Sequence, residues 1–201
     1  MSSFKSEPFL WIHLAGIVTF PVFLGIVWFG LSVSDRLPIL WLEILLMVGV
    51  GVLPIFLMQW ARPFEIFSLL VLAMKPDKIT FQQRQILSLF KTPRQQILSA
   101  ATALAMVGIL YGLYQLPPLT AIASSVLTQS RFVGLLIASI AFAAANLFLQ
   151  VPISVLGVLS TGEQQFAKIE PYPTEKIPQD FTLTGFRVDK IIPIKPVPPE
   201  K

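Results

Sequence analysis

The chain contains no cysteine, which excludes disulfides and thiolate metal sites. It has a single histidine, His13, so one chain cannot supply bis-histidine haem ligation. Charge is scarce: 13% of residues are charged, against about 25% in a soluble domain. There is no H-E-x-x-H, G-x-S-x-G, Walker or G-x-G-x-x-G sequence. A nucleophile, base and metal set is therefore missing, and the expectation is a protein without catalytic activity. The net charge is +4, but no basic cluster is dense enough for nucleic-acid binding.

What the chain has is hydrophobicity, at 54% of residues and a mean hydropathy of +0.73. It is concentrated in four runs, about 9–31, 37–60, 97–116 and 132–159. Each is long enough for a helix to cross a hydrocarbon core of about 30 Å. In lipid every backbone N–H and C=O needs an internal partner, so these runs predict helices. A β-barrel would need shorter alternating segments, and alternation is absent. Pro21, Pro54 and Pro152 fall inside the runs and predict kinks rather than breaks. The first run reads as retained: only Lys5 precedes it, it exceeds a signal-peptide core, and no A-x-A site follows. The expected fold is an all-α integral membrane protein with four transmembrane helices in residues 1–160. A helical cytoplasmic or interfacial loop, 61–96, joins helices 2 and 3, and an extended Pro-rich tail covers 161–201.

Thirteen of the fifteen Lys and Arg residues lie on one side of this fourfold pattern, leaving Arg36 and Arg131 on the other. Positively charged loops stay cytoplasmic, so both termini and the long loop are expected in the cytoplasm. In that loop the stretch FEIFSLLVLAM (64–74) is apolar but too short to span. It is left to extend the second helix, lie along the interface or re-enter. Thr80 and Gln83 have capping-box spacing and open a short amphipathic helix. Ile86, Leu87, Leu89 and Phe90 share one side of it, facing either the membrane surface or the protein's own spans. The tail carries prolines at 171, 173, 178, 193, 196, 198 and 199, a composition that does not fold alone. Two sticky pieces interrupt it, Phe181–Val188 and Ile191–Ile194, suited to lying on a partner or on the second loop.

Few residues inside the spans are candidates for a site. Glu43 is the one clear buried acid, near the non-cytoplasmic end of span 2. There it either reaches headgroup water or bonds Arg36 or a partner. His13 lies just inside span 1, followed by Ala15 and Gly16. A neutral imidazole there is a candidate ligand for the magnesium of a chlorophyll, or an interfacial residue bonded to backbone, lipid or water. Span 3 carries a small-residue face, Ala101, Ala105, Gly108 and Gly112, and span 4 another, Gly134, Ala138, Ala141 and Ala145. Such faces let helices approach closely. With a short loop between them, spans 3 and 4 are each other's simplest partners, although a homodimer or larger complex fits too. Asn146 and Gln150 are expected to hydrogen-bond across helices. Arg84, Phe90, Phe181 and Phe186 join Glu43 as candidates for contact with a partner.

Three strings, SEPFLWIHLAG at 6–16, MQWARPF at 58–64, and QQR at 82–84 with LFKTP at 89–93, resemble a cyanobacterial family of low-complexity tail membrane proteins. The resemblance implies a thylakoid or plasma membrane and photosynthetic complexes as neighbours. It transfers no ligand or active residue. With few intramembrane charges and small-residue helix faces, it favours a non-catalytic protein that docks to, or helps assemble, a photosynthetic complex. Membrane lipid is the other expected partner, and bound chlorophyll, carotenoid or lipid are the cofactors to consider. A small transporter subunit is the alternative, disfavoured by the lack of buried charge. A membrane enzyme ranks third.

Overall fold

A computed structural model of the protein describes residues 3–69, 71–119 and 130–191. Four helical spans run through it: span 1 (Pro8–Leu31), span 2 (Leu40–Ala61), span 3 (Pro93–Gln115) and span 4 (Arg131–Leu159). At about 1.5 Å per residue each exceeds the thickness of the hydrocarbon layer. They match the four apolar runs to within a few residues. Residues 3–7, 62–92 and 160–191 share one end of the bundle, here the tail side; the opposite end is the far side.

The three prolines act differently. Span 1 narrows to a 3-10 turn over Gly16–Thr19 just before Pro21. Span 2 breaks at Val52, between helices ending at Gly51 and starting at Leu53. Asn146 of span 4 covers that break, donating to the Gly51 and Val52 carbonyls at 3.0 and 3.3 Å. Span 4 continues through Pro152 without interruption. Ser99 of span 3 donates to Gln150 at 2.8 Å, and Gln150 donates to Asn146 at 3.1 Å. This polar column satisfies its amides across three spans, as expected of polar residues in lipid.

Span 4 is the hub, packed on all three other spans. Its small face receives span 1. A Cβ at Gly30 would lie 2.8 Å from the Gly134 carbonyl oxygen, and one at Gly134 2.6 Å from that of Gly30. Only glycines permit backbones this close. Ala138, Ala141 and Ala145 continue the buried face. The expected pairing of small faces between spans 3 and 4 is not what forms. Ala101, Ala105, Gly108 and Gly112 are exposed, and nothing lies within 4 Å of a Cβ placed at either glycine. Span 3 turns inward a different stripe, Ser99, Thr102, Met106, Leu110 and Tyr114. That stripe carries the hydroxyls and the bulk that fill the bundle core, whereas four small residues would leave a void there.

On the tail side the apolar segment 64–74 forms a hairpin. Strand β1 (Ser68–Leu69) pairs antiparallel with β2 (Leu72–Met74). Strand β3 (Phe186–Val188), from the tail, adds parallel to β2. The connector helix Phe81–Phe90 has the capping box at Thr80 and Gln83, and it buries Ile86, Leu87, Leu89 and Phe90 in the protein itself. Residues 161–191 take two short helices, Glu163–Phe166 and Ile177–Asp180, before β3. Phe166, Ile177 and Phe181 enter a core shared with Phe4, Phe9, Ile66, Phe67 and Val158. Each such buried side chain contributes about 1.5–3 kcal/mol. Gly185 has φ +91°, and a Cβ there would lie 2.1 Å from the Val71 carbonyl carbon. The tail therefore crosses Val71 only as glycine. Of the second sticky piece, Ile192–Ile194 lies outside the described residues, as do the prolines from 193 onward.

These packings predict opposite responses to one substitution. Gly134→Leu should lower stability by at least about 1–3 kcal/mol through overpacking. Gly108→Leu should leave the isolated protein's thermal midpoint nearly unchanged. Unfolding of both variants in detergent, followed by circular dichroism, makes the comparison.

Candidate functional site

The far side is closed by an ion pair. Glu43, in the first turn of span 2, is fully buried, and Arg131, the first residue of span 4, is 8% exposed. Arg131 Nε donates to Glu43 Oε1 at 2.7 Å, and a terminal guanidinium nitrogen donates to Oε2. Its other terminal nitrogen donates to the carbonyls of Leu31 (2.7 Å) and Val33 (3.0 Å) at the end of span 1. The Leu37 amide donates to Oε1 at 2.8 Å and the Tyr114 hydroxyl to Oε2 at 3.1 Å. All four spans therefore meet at one carboxylate. The N-terminus of span 2 favours that anion, while the N-terminus of span 4 opposes the arginine. The bidentate pair and two carbonyls offset the opposition. Arg36, one of the expected partners of Glu43, instead donates to the Tyr114 carbonyl at 2.8 Å and lies 5.7 Å from its ring centre. With every oxygen of Glu43 occupied by the protein, this cluster acts as a structural clasp.

The tail side holds a cavity of about 360 Å³. Ile12, His13 and Gly16 of span 1 form one wall, and Phe148, Val151 and Pro152 of span 4 the other. Phe64, Leu69 and Val71 of the hairpin close it toward the tail. Pro152 gives no N–H to the Phe148 carbonyl on this wall. His13 Nδ1 donates to the Phe9 carbonyl at 2.8 Å, and its ring lies 5.6 Å from that of Phe64. Nδ1 spends the one hydrogen of a neutral ring on the Phe9 carbonyl, which leaves Nε2 with its lone pair, the state in which an imidazole can ligate a metal. The volume and lining fit an apolar ligand, since such sites typically measure about 300–1,000 Å³. Among the described residues no group of three or more His, Asp or Glu side chains is placed to hold a metal ion.

The remaining candidates divide between inside and outside. Arg84 fastens the tail: its guanidinium reaches the Tyr172 carbonyl and Thr174 Oγ1, and its carbonyl accepts from the Tyr172 amide. Phe90 and Phe181 are 4% and 0% exposed, so their apolar surface is spent within the protein. Phe186 is 79% exposed. The sequence pattern did not bring forward Glu65, which is fully buried in the hairpin. Neither of its carboxyl oxygens has a hydrogen-bond partner. Burial pushes its pKa up to about 8, against the weaker opposing influences of the Phe67 backbone and Arg187. Its apolar neighbours, Phe64, Ile66 and Phe67, were the one signal that could have marked it.

The chain matches the family of low-complexity tail membrane protein-like proteins over residues 6–193, and it belongs to that family. No curated protein and no solved structure matches it.

Breaking the clasp from one side leaves a buried charge alone, which costs about 3–5 kcal/mol. Glu43→Gln should show a loss of that order in detergent unfolding. The double variant Glu43→Leu with Arg131→Met should lose less than the two single losses combined. Glu65 gives a pH dependence of known sign. Its folded pKa of about 8 exceeds the ordinary 4.5, so folding takes up a proton between those values. Stability of the tail-side cap should fall as pH rises from about 4.5 to about 8 and level off above that. Hydrogen exchange at the Thr182 and Phe186 amides reads this slope, and Glu65→Gln should flatten it.

Proposed function

We propose that this member of the low-complexity tail family is a non-catalytic thylakoid protein that docks to, or helps assemble, a photosynthetic membrane complex. One observation carries the docking reading: the Ala101, Ala105, Gly108 and Gly112 face of span 3 is exposed, and among the described residues nothing lies within 4 Å of a Cβ placed at either glycine. Gly30, Gly51, Gly134 and Gly157 make close contacts within the bundle, whereas Gly25 and Gly49 are single open glycines in spans 1 and 2 and do not form a stripe like that on span 3. In lipid, helices gain by close packing rather than by hydrophobicity, so an outward small face suits another transmembrane helix. Tyr114 ties the far end of span 3 to the clasp, and Gln95 and Ser99 tie the other end to span 4, while it presents that face. The thylakoid and photosynthetic setting rests on the resemblance of the three strings to a cyanobacterial family. The excess of Lys and Arg places the termini, connector helix and tail in the cytoplasm. There Phe186 and the outer surface of the cap offer a second contact.

Affinity purification of the tagged protein from mildly solubilised membranes, with mass spectrometry of partners, tests the proposal. Wild type should migrate with subunits of a larger complex. Gly108→Leu with Gly112→Leu should free the protein at an unchanged expression level and thermal midpoint. Migration of the wild type only as a monomer counts against docking. Solute flux through the reconstituted protein alone would favour the transporter reading instead.

A further inference from the structure

We propose that His13 is the axial ligand of a metal-centred tetrapyrrole seated in the cavity between span 1, span 4 and the hairpin. The donor atom comes first. The Phe9 carbonyl can only accept, so it takes the one hydrogen of the neutral ring at Nδ1, 2.8 Å away. Nε2 keeps its lone pair and has no hydrogen-bond partner among the described residues. A backbone carbonyl on the other ring nitrogen is the support that metal-bound histidines commonly have, and it raises the basicity of the ligating one. His13 is also the single polar side chain on walls otherwise made of residues such as Ile12, Phe64, Phe148 and Val151.

The walls then narrow the partner of that lone pair. A bare divalent ion needs about four ligands at a closed site, and among the described residues no group of three or more His, Asp or Glu side chains could hold one. Such an ion would also carry its full charge into an apolar cavity. A tetrapyrrole removes both objections: its four nitrogens supply the other ligands, and its two negative charges neutralise a divalent metal. An axial position remains open, and one neutral imidazole fills it. The shape of the cavity agrees. Gly16 follows His13 by three residues, on the same side of span 1, and adds no side chain to the wall. The Phe148 ring lies against it, 3.4 Å from a Cβ placed there, and the Phe64 ring is 5.6 Å from the imidazole. Aromatic rings on the walls suit the stacking of a flat π-system. Ile12 and Val71, 42% and 64% exposed, mark the mouth. His13 lies about 8 Å from the tail-side end of span 1, at 1.5 Å per residue, so the mouth opens into the outer part of the hydrocarbon layer. A ring wider than the cavity can rest one edge inside and the remainder among acyl chains.

The test uses the full-length protein in detergent micelles, titrated with the dimethyl esters of zinc protoporphyrin and of metal-free protoporphyrin. The two rings share an outline and differ in the metal. Zinc in such a ring takes one axial ligand, and imidazole ligation moves its strongest absorption band to the red. Wild type should bind the zinc ring with that red shift, at least about tenfold more tightly than the metal-free ring. His13→Gln should abolish the red shift and bring the affinity for the zinc ring to that for the metal-free one. Gly16→Leu, which fills the wall beside the imidazole, should weaken binding of both rings. Equal affinity of the wild type for the two rings would overturn the metal assignment, and that comparison needs no variant. A red shift that survives His13→Gln would overturn His13 as the ligand, and binding unchanged by Gly16→Leu would overturn the cavity as its seat. Displacement of the zinc ring by an equimolar long-chain alcohol would assign Nε2 to a hydroxyl donor and overturn the tetrapyrrole. The micelles hold no partner protein, so the result is independent of the docking proposal.

Discussion

The backbones of Gly30 and Gly134 touch, and that contact sets where span 4 can stand. With span 4 fixed there, Arg131 falls within reach of Leu31, Val33 and Glu43. Three turns further on, Phe142 lies against Gly51, where a Cβ would come within 2.6 Å of its ring. Asn146 then reaches the broken turn of span 2, and Gln150 reaches Ser99. Gly157 completes the line against Leu98 and Gln95. A single helix thus carries, in order, a charge clasp, an aromatic wedge, an amide ladder and a close approach. A side chain at either glycine of the first contact would shift the whole line.

The four spans were legible because their cause is local: a run of apolar residues has one way to satisfy its backbone in lipid. The capping box at Thr80 was legible for the same reason, since its two bonds lie three residues apart. Partners were less so. Glu43 stood out as an acid in an apolar run, yet Arg131 is 88 residues away, and nothing in the pattern ranks it above Arg36. The small-residue faces were visible, but periodicity identifies a face and not what it meets. The face on span 4 went to span 1, and the one on span 3 was left outward. The proline-rich tail was legible in part, since its piece Phe186–Val188 lies on the second loop, one of the two places expected for it. Its composition says that it cannot build a core alone, which is true, but Phe166, Ile177 and Phe181 complete a core that the hairpin and connector helix supply.

Two surfaces of the bundle are then available for interaction, and they differ in kind. The outward face of span 3 is flat and made of small residues, suited to a helix. The cavity beside Val71 is recessed and, apart from His13, lined by apolar side chains. Neither uses the ionisable clasp on the far side, whose capacity is filled internally. The two surfaces draw on different spans, the cavity on spans 1 and 4 and the small-residue face on span 3.

The shared tail-side core also imposes an order of assembly. Phe4 precedes span 1 and Phe9 lies in its first turn, while Ile177 and Phe181 follow span 4, and all four belong to the same cluster. During synthesis the bundle must insert before the last of these residues emerges. Until then the apolar side of the connector helix, Ile86 to Phe90, lies uncovered next to the membrane. Closure of the cap by the tail thus waits on synthesis of Ile177 and Phe181. A chain cut short before Phe181 would keep its four spans and yet display an open, adhesive surface for quality control to find.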